Sequence, residues 1–367
     1  MLNLRRQRGL TIVEIMVSLL LGLLILGAAI SIFDSNRRTY RTGEALARVQ
    51  ENGRYAIQTI ARELRMAGHI GCGSRRAMLS DSVVFQLTNN VSSDPPDFDP
   101  TEGVEAFDSM AGWNGPATPS DGTNDLTICD SNSATCRQSD AIRIVNGSPV
   151  GFSISAAQAS AGAALSVVSG VAADFLKAVP DAQLFLVTDC LRADVFRYDL
   201  GDTDTSLTPD DTLSQAYADG ALIMPVVGST YFVANDATDG VPSLYRLPFC
   251  DPSDCSATDA EEIAEGVEAM QVMIGIDSDE DSFADSYVTP AAVGDWADVA
   301  SVRVSLLVRS EDNFVVDTPV AVEFTAGTGD ADGDGETDTV TVNSGANADR
   351  RLRMVFTTTV GLRNHIP

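Results

Sequence analysis

Residues 1–33, MLNLRRQRGLTIVEIMVSLLLGLLILGAAISIF, decide how the rest of the chain is read. Arg5, Arg6 and Arg8 form a short basic leader, and from Leu10 to Phe33 the sole charge is Glu14. A helix over those roughly 24 residues, rising about 1.5 Å per residue, spans a hydrocarbon core of about 30 Å. The stretch therefore predicts a transmembrane helix. Arg37 and Arg38 follow soon after it, so the positive-inside rule favours a cytoplasmic N-terminus only modestly. A cleaved secretory signal is the alternative, with Gly27-Ala28-Ala29 as a small-residue cleavage site. Against it, the apolar run exceeds the usual core of about 7 to 15 residues, and a carboxylate costs about 2.5 to 3.5 kcal/mol at mid-bilayer. A charge placed there needs a purpose.

Beyond Phe33 the helical period continues with polar residues added. Leu46, Val49, Ala56, Ile57, Ile60 and Leu64 recur at three- and four-residue spacings, with Arg48, Glu51, Arg54, Arg62 and Glu63 between them. A helix from about Leu10 to Met66 is predicted, roughly 85 Å long. Its first half is apolar all round and its second half on one side. Gly68, Gly71 and Gly73 are expected to end it. The resulting division is a leader over residues 1–9, a transmembrane half-helix over 10–33, an amphipathic half-helix over 34–68 and a β-rich extracytoplasmic domain over 69–367.

That domain reads as short strands with turn-rich connections: Val83 to Leu87, Leu126 to Cys129, Ala141 to Val145, Gln183 to Val187, Tyr231 to Ala234 and Leu244 to Leu247. Longer runs follow at Val267 to Ile276, Ser301 to Val308, Val315 to Phe324 and Leu352 to Val360. Ser92 to Thr101 and Asp199 to Asp211 are loops by composition. A helix followed by strands indicates α+β, the amphipathic half-helix covering an antiparallel sheet with large loop-rich insertions. No internal repeat or clean linker divides the domain.

Of 367 residues 44% are hydrophobic, enough for a real core, and the net charge of -28 argues against nucleic-acid binding. Six cysteines in an extracytoplasmic segment predict disulfides. Cys129 with Cys136 and Cys250 with Cys255 are close enough to close small loops, which leaves Cys72 and Cys190 to bridge distant parts. No CxxC pair is present and His69 and His365 are the only imidazoles, so zinc is not indicated.

Two acidic loops have spacing suited to a hard cation. GDADGDGETDTVTV places Asp330, Asp332, Asp334, Glu336 and Asp338 around a turn at Gly335. Thr341 stands where an EF-hand needs its bidentate Glu, and a strand follows in place of a helix, so this is not an EF-hand. DSDEDSFADSY offers Asp277, Asp279, Asp281 and Asp285 without a turn glycine. Calcium is the expected cofactor, and a solvated acidic turn is the alternative for each loop. No GxSxG, HExxH or phosphate-binding glycine loop is present, and catalysis is not expected.

RGLTIVE (8–14) has Gly9 before an apolar residue and an acid five positions after it, and resembles the type III signal of type IV prepilins. The resemblance implies cleavage between Gly9 and Leu10 by a prepilin peptidase and N-methylation of Leu10. It also implies pairing of Glu14 with the terminal amine of a neighbouring subunit. Five further segments are similar to the PilW family of minor pilins: RYAIQTIARELRMAGHIGC, TYFVANDATDGVPSLYR, GVEAMQVMIGID, DWADVASVRVSLLVRS and RRLRMVFTTTVGLRN. They resemble J-type minor pseudopilins of type II secretion more weakly, and Ser74 to Gly220 carries little of either likeness. What the resemblance implies is an inner-membrane, single-pass subunit that joins the pilus through its N-terminal helix, alongside other minor and major pilins. Its implied work is to help start assembly at or near the tip. A secretion pseudopilin and a pilus-tip adhesin are the alternatives.

Overall fold

The computed structural model describes residues 11–71, 86–89, 102–110, 126–129, 139–167, 184–197, 206–236, 240–248, 259–279, 281–325, 339–343 and 348–364. Helix α1 spans Ile12–Leu64, 53 residues, roughly 80 Å. Its C-cap is Arg65, earlier than the glycines suggested. A turn follows, and Gly68, at φ +68°, takes the left-handed conformation that turns the chain into the sheet. Its N–H donates to Val145 O at 2.9 Å.

The strands are β1 (Gln86–Asn89), β2 (Val104–Phe107), β3 (Leu126–Ile128), β4 (Ala141–Gly147), β5 (Phe152–Ser153) and β6 (Leu165–Ser166). Next come β7 (Leu184–Thr188), β8 (Arg192–Arg197), β9 (Ser206–Leu207), β10 (Leu222–Asp236), β11 (Pro242–Pro248) and β12 (Glu261–Glu265). The last are β13 (Val267–Ile276), β14 (Ser286–Val288), β15 (Val299–Arg309), β16 (Val322–Thr325), β17 (Thr339–Val342) and β18 (Arg353–Gly361). A four-stranded antiparallel sheet has the order β14-β13-β15-β18. The larger sheet runs β1-β8-β7-β10-β11-β12, with β3, β4 and β5 also paired to the long β10 and β2 paired to β4. It is antiparallel except for β1 and β8, which pair in parallel.

Three expectations change. Tyr231 to Ala234 is only part of the 15-residue β10, whose Pro225 and Gly228 disguise its length. Val315 to Phe324 is strand only from Val322, because the N–H groups of Val315 and Val316 both turn to Arg350 O. The loop Asp199 to Asp211 contains β9.

The helix packs on the four-stranded sheet. Its buried residues Val49, Gly53, Ala56, Ile60, Ala61 and Leu64 follow helical spacing, and share one core with Val302, Val304, Leu306 and Val308 of β15 and Val360 of β18. Burying each large aliphatic side chain stabilises by about 1.5–3 kcal/mol. At Gly53 the helix backbone lies directly against the Phe356 ring, which an added Cβ would overlap. The same core takes in Ile142, Ile144, Tyr231 and Val233 of the larger sheet.

A polar clamp also joins the sheets. Asp140 N–H donates to Met270 O and Met270 N–H to Ser139 Oγ, both at 2.9 Å. The Asp140 carboxylate accepts from Ser109 N–H and Val272 N–H, both at 2.8 Å. Burial pushes this carboxyl up to about 7; the two N–H bonds oppose the shift and nearby Asp108 adds to it.

Candidate functional site

Two regions carry the candidate residues: the stalk and the loop at the end of β13. At the stalk's N-terminus Thr11 is the N-cap and Glu14 is the third residue of the helix. Thr11 Oγ1 accepts from Glu14 N–H, and Glu14 Oε2 accepts from Thr11 N–H, each at 3.3 Å. This reciprocal capping box satisfies donors that a helix start otherwise leaves unpaired. Its signal, Thr-x-x-Glu at residues 11–14, is present in the sequence but went unread, because Glu14 was considered only as a partner for another chain. The helix is long and apolar enough to cross a membrane, and its residues from Ile12 to Phe33 are exposed among the described residues. Gly9 and Leu10, the expected cleavage pair, lie outside the described residues.

The upper stalk is clipped to the head by side chains. Thr42 Oγ1 donates to Val315 O and Asn52 Nδ2 to Glu265 O, each at 3.0 Å. Past the helix end, Asn364 Nδ2 donates to Met66 O at 3.3 Å and Ala67 O at 3.0 Å, so the end of the chain satisfies carbonyls at the end of the stalk. His69 is half-buried, and burial lowers its pKa below the ordinary value. Its carbonyl accepts from Gly147 N–H, a backbone role without catalytic geometry.

The loop between β13 and β14 gathers Asp277, Asp279 and Asp285, with one oxygen of each lying within 4.8 Å of the others. Oxygens around one calcium at about 2.4 Å can be no farther apart than about 4.8 Å, so the three carboxylates match a single ion's shell. Asp277 is buried and the other two are exposed. Asp279 is raised: the bond it accepts from Asp281 N–H pulls the other way, but desolvation and the charges of Asp281, Asp285 and Asp277 outweigh it. Asp285 is held low by the hydroxyl and the N–H of Ser278.

Asp281, expected beside them, is not in this group. Its carboxylate accepts from Phe283 N–H at 2.9 Å, and its own N–H faces Asp277 and Asp279 at 3.2 and 3.3 Å. Alternate spacing would align four side chains only on an extended strand, whereas this loop folds through successive side-chain-to-backbone turns. Ser282, at φ +79°, takes the place of the missing turn glycine. The second acidic loop, Asp330, Asp332, Asp334, Glu336 and Asp338, lies outside the described residues. Cys129 and Cys190 are disulfide-bonded. Cys72, Cys136, Cys250 and Cys255 lie outside the described residues, and so do the expected pairings.

At the opposite end of the sheet lies an ionic site that the sequence reading missed. Arg353 Nε and Nη2 donate to the two oxygens of Glu268 at 2.7 and 3.3 Å, and Nη1 and Nη2 donate to Asp349 at 2.5 and 2.9 Å. The Arg353 side chain is 3% exposed and that of Glu268 8%. Burial alone would lower the Arg353 pKa, but the two carboxylates raise it, while Arg353 holds Asp349 below its ordinary value. The sequence offered no signal for this pairing beyond charged residues in strands expected to be buried.

Residues 4–30 match the prokaryotic N-terminal methylation motif, and residues 230–364 match the family model of type IV pilus-assembly protein W. The chain carries a prepilin-type N-terminus and a PilW-type C-terminal region. The PilW match covers α1's sheet partners β13, β15 and β18 together with β11 and the last seven residues of β10, and stops short of the segment before residue 230. Among solved structures, a type IV-like pilin from Thermus thermophilus is similar at 16% identity over 55% of this chain and 100% of that one, with a TM-score of 0.21. No curated protein matches. The methylation motif implies prepilin processing and assembly with other pilins. The family is a structural, non-enzymatic kind.

Proposed function

We propose that this chain is a minor pilin that helps to initiate type IV pilus assembly at or near the pilus tip, after cleavage between Gly9 and Leu10 and methylation of Leu10. Before assembly it sits in the inner membrane with the head outside the cytoplasm, and it has no enzymatic role. The observation carrying this reading is the covered upper end of the stalk. Ala67, Gly68 and Ile70 are buried, and the chain leaves the helix directly into hydrogen bonds with the larger sheet. A subunit above this one in an axial stack would meet that sheet, whereas subunits below have the open helix from Ile12 to Phe33. Deletion should abolish surface pili, and the wild-type gene should restore them. Normal pili with a loss only of surface attachment would replace the reading with an adhesin. A loss only of protein secretion would replace it with a pseudopilin.

Calcium at Asp277, Asp279 and Asp285 is a second element of the proposal, supported by their convergence. Three carboxylates supply at most six oxygens, near the lower limit of calcium's shell of about 6–8 ligands. Millimolar calcium should raise the melting temperature, magnesium should do so poorly, and Asp279→Asn should remove the response. An unchanged melting temperature strikes calcium from this loop.

A further inference from the structure

Strand β18 is an outer strand of the four-stranded sheet and pairs only with β15. Its register runs from Ser301 opposite Gly361 to Arg309 opposite Arg353 without a shift, so parity decides which of its backbone groups are used. Just beyond the two ends, Ser310 N–H donates to Leu352 O at 2.8 Å and Leu362 N–H to Ala300 O at 2.9 Å. Bonded and non-bonded pairs alternate along an antiparallel ladder. Met354, Phe356, Thr358 and Val360 are therefore the residues bonded to β15, and Val355, Thr357 and Thr359 turn their N–H and C=O groups outward. Among the described residues no backbone group meets them on that side.

The side chains leave this edge open. Phe356 and Val360 point at the stalk, the first against Gly53 and the second into the core. Val355, Thr357 and Thr359 stand on the opposite face and are exposed. Thr357 Oγ1 meets Ser305 Oγ at 3.0 Å and Thr359 Oγ1 accepts from Arg303 Nε at 3.4 Å, both bonds running back towards β15. From Met354 to Gly361 there is no charge, no proline and no bulge, in a chain of which 21% is charged. Native sheets blunt a long exposed edge with such features. Other outer strands follow that rule: β14 has three residues and β1 four, and β12 carries Glu261, Glu262 and Glu265. Of these four strands β18 is the long, regular and uncharged one. A second copy of the chain does not fit it. Two β18 strands pair antiparallel about a two-fold axis perpendicular to the sheet, which reverses every direction in the sheet plane, that of the stalk lying on it included. The two stalks then cannot enter one membrane, and two chains of net charge -28 repel.

We propose that β18 receives, by strand addition, an uncharged extended segment of a different subunit anchored in the same membrane. The backbone of that segment completes the outward N–H and C=O groups of Val355, Thr357 and Thr359. The inference rests on the reading of the chain as an assembling pilin subunit, and names the surface by which its head selects a neighbour. The sheet then runs on from one subunit into the next, which fixes the height of the second against the stalk of the first.

The test uses the full chain in cells that make pili, with Val355, Thr357 or Thr359 replaced in turn by the photoreactive p-benzoylphenylalanine. Irradiation should join all three positions to one segment of one other pilin subunit, and the joined residue should advance along that segment by about two for each step of two on β18. Joining to scattered sites, to a second copy or to nothing overturns strand addition. Thr357→Pro removes an outward N–H while sparing the ladder to β15, and Thr357→Lys places a charge on the edge. Each should lower incorporation into pili roughly tenfold, whereas Thr357→Val, which keeps the N–H, should incorporate as wild type does. Urea unfolding of the detergent-solubilised chain checks that each variant is folded, and where the proline variant is not, the lysine variant carries the test. Full incorporation of either folded variant, or an equal loss in Thr357→Val, overturns the role of the edge. Pili unaffected by deletion of the whole chain refute instead the pilin reading, which is judged separately in this way.

Discussion

Asp140→Asn should flatten the pH dependence of the head's stability between about pH 4 and 7. Asp140 is 1% exposed and sits between the two sheets. Its carboxyl ionises near its ordinary 3.8 in the unfolded chain and at about 7 in the folded one. Between those values the folded state holds a proton that the unfolded state has lost, so stability falls as pH rises and levels off above about 7. A displacement of that size corresponds to about 4 kcal/mol at 1.36 kcal/mol per pH unit. Desolvation sets the direction and outweighs the Ser109 and Val272 N–H groups, which favour the ionised form. Asparagine has no proton to lose, but its amide nitrogen must face one of the two N–H donors, a mismatch costing about 1–3 kcal/mol at every pH. Urea unfolding of the detergent-solubilised chain, wild type beside variant, separates these effects. Other carboxylates titrate in both proteins and cancel in the difference. Wild type should lead by most near pH 4–5, and the gap should narrow by about 2–4 kcal/mol towards pH 8. A gap that stays constant across that range would falsify the buried, proton-holding role of Asp140.

Three further substitutions test the remaining contacts. Arg353→Met leaves Glu268 buried without its counter-ion, and should cost about 3–5 kcal/mol by urea unfolding at neutral pH. Because Arg353 depresses Asp349, the wild-type advantage should persist above about pH 4 and fade as pH drops through the lowered Asp349 value; a loss under about 1 kcal/mol at neutral pH would show that the bridge is not a net stabiliser. Gly53→Ala puts a methyl against the Phe356 ring and should cost about 1–3 kcal/mol, with Phe356→Ala relieving part of it in the double variant; strict additivity of the two losses would refute the contact. Glu14→Ala should leave membrane insertion intact, frays the first turn by about 1 kcal/mol or less, and should impair incorporation into pili; wild-type incorporation would remove Glu14 from subunit pairing.

How much of this was legible in the sequence depended on the range of the physics involved. The stalk was open to reading because a helix is written in local terms: an apolar run long enough to cross a bilayer, then apolar residues at three- and four-residue spacing, of which Val49, Ala56, Ile60 and Leu64 are the ones buried. The strands at β13, β15 and β18 were legible for the same reason, as long runs rich in apolar and β-branched residues. In the segment before residue 220 the runs at β3, β4 and β7 were legible too, but β5, β6 and β9 were not, since they are two residues each and have no period of their own. Likewise, nothing local marks Arg353 as the partner of Glu268, 85 residues away, or Asn364 as the cap for carbonyls 297 and 298 residues earlier. The acidic loop shows the division within nine residues: its sequence announced a cluster of Asp277, Asp279, Asp281 and Asp285, yet only the folded backbone turned Asp281 away from the other three. Hydrophobic period and chain length determine which segments must be buried, whereas the pairing of polar groups is settled by which of them are left without water once those segments have met.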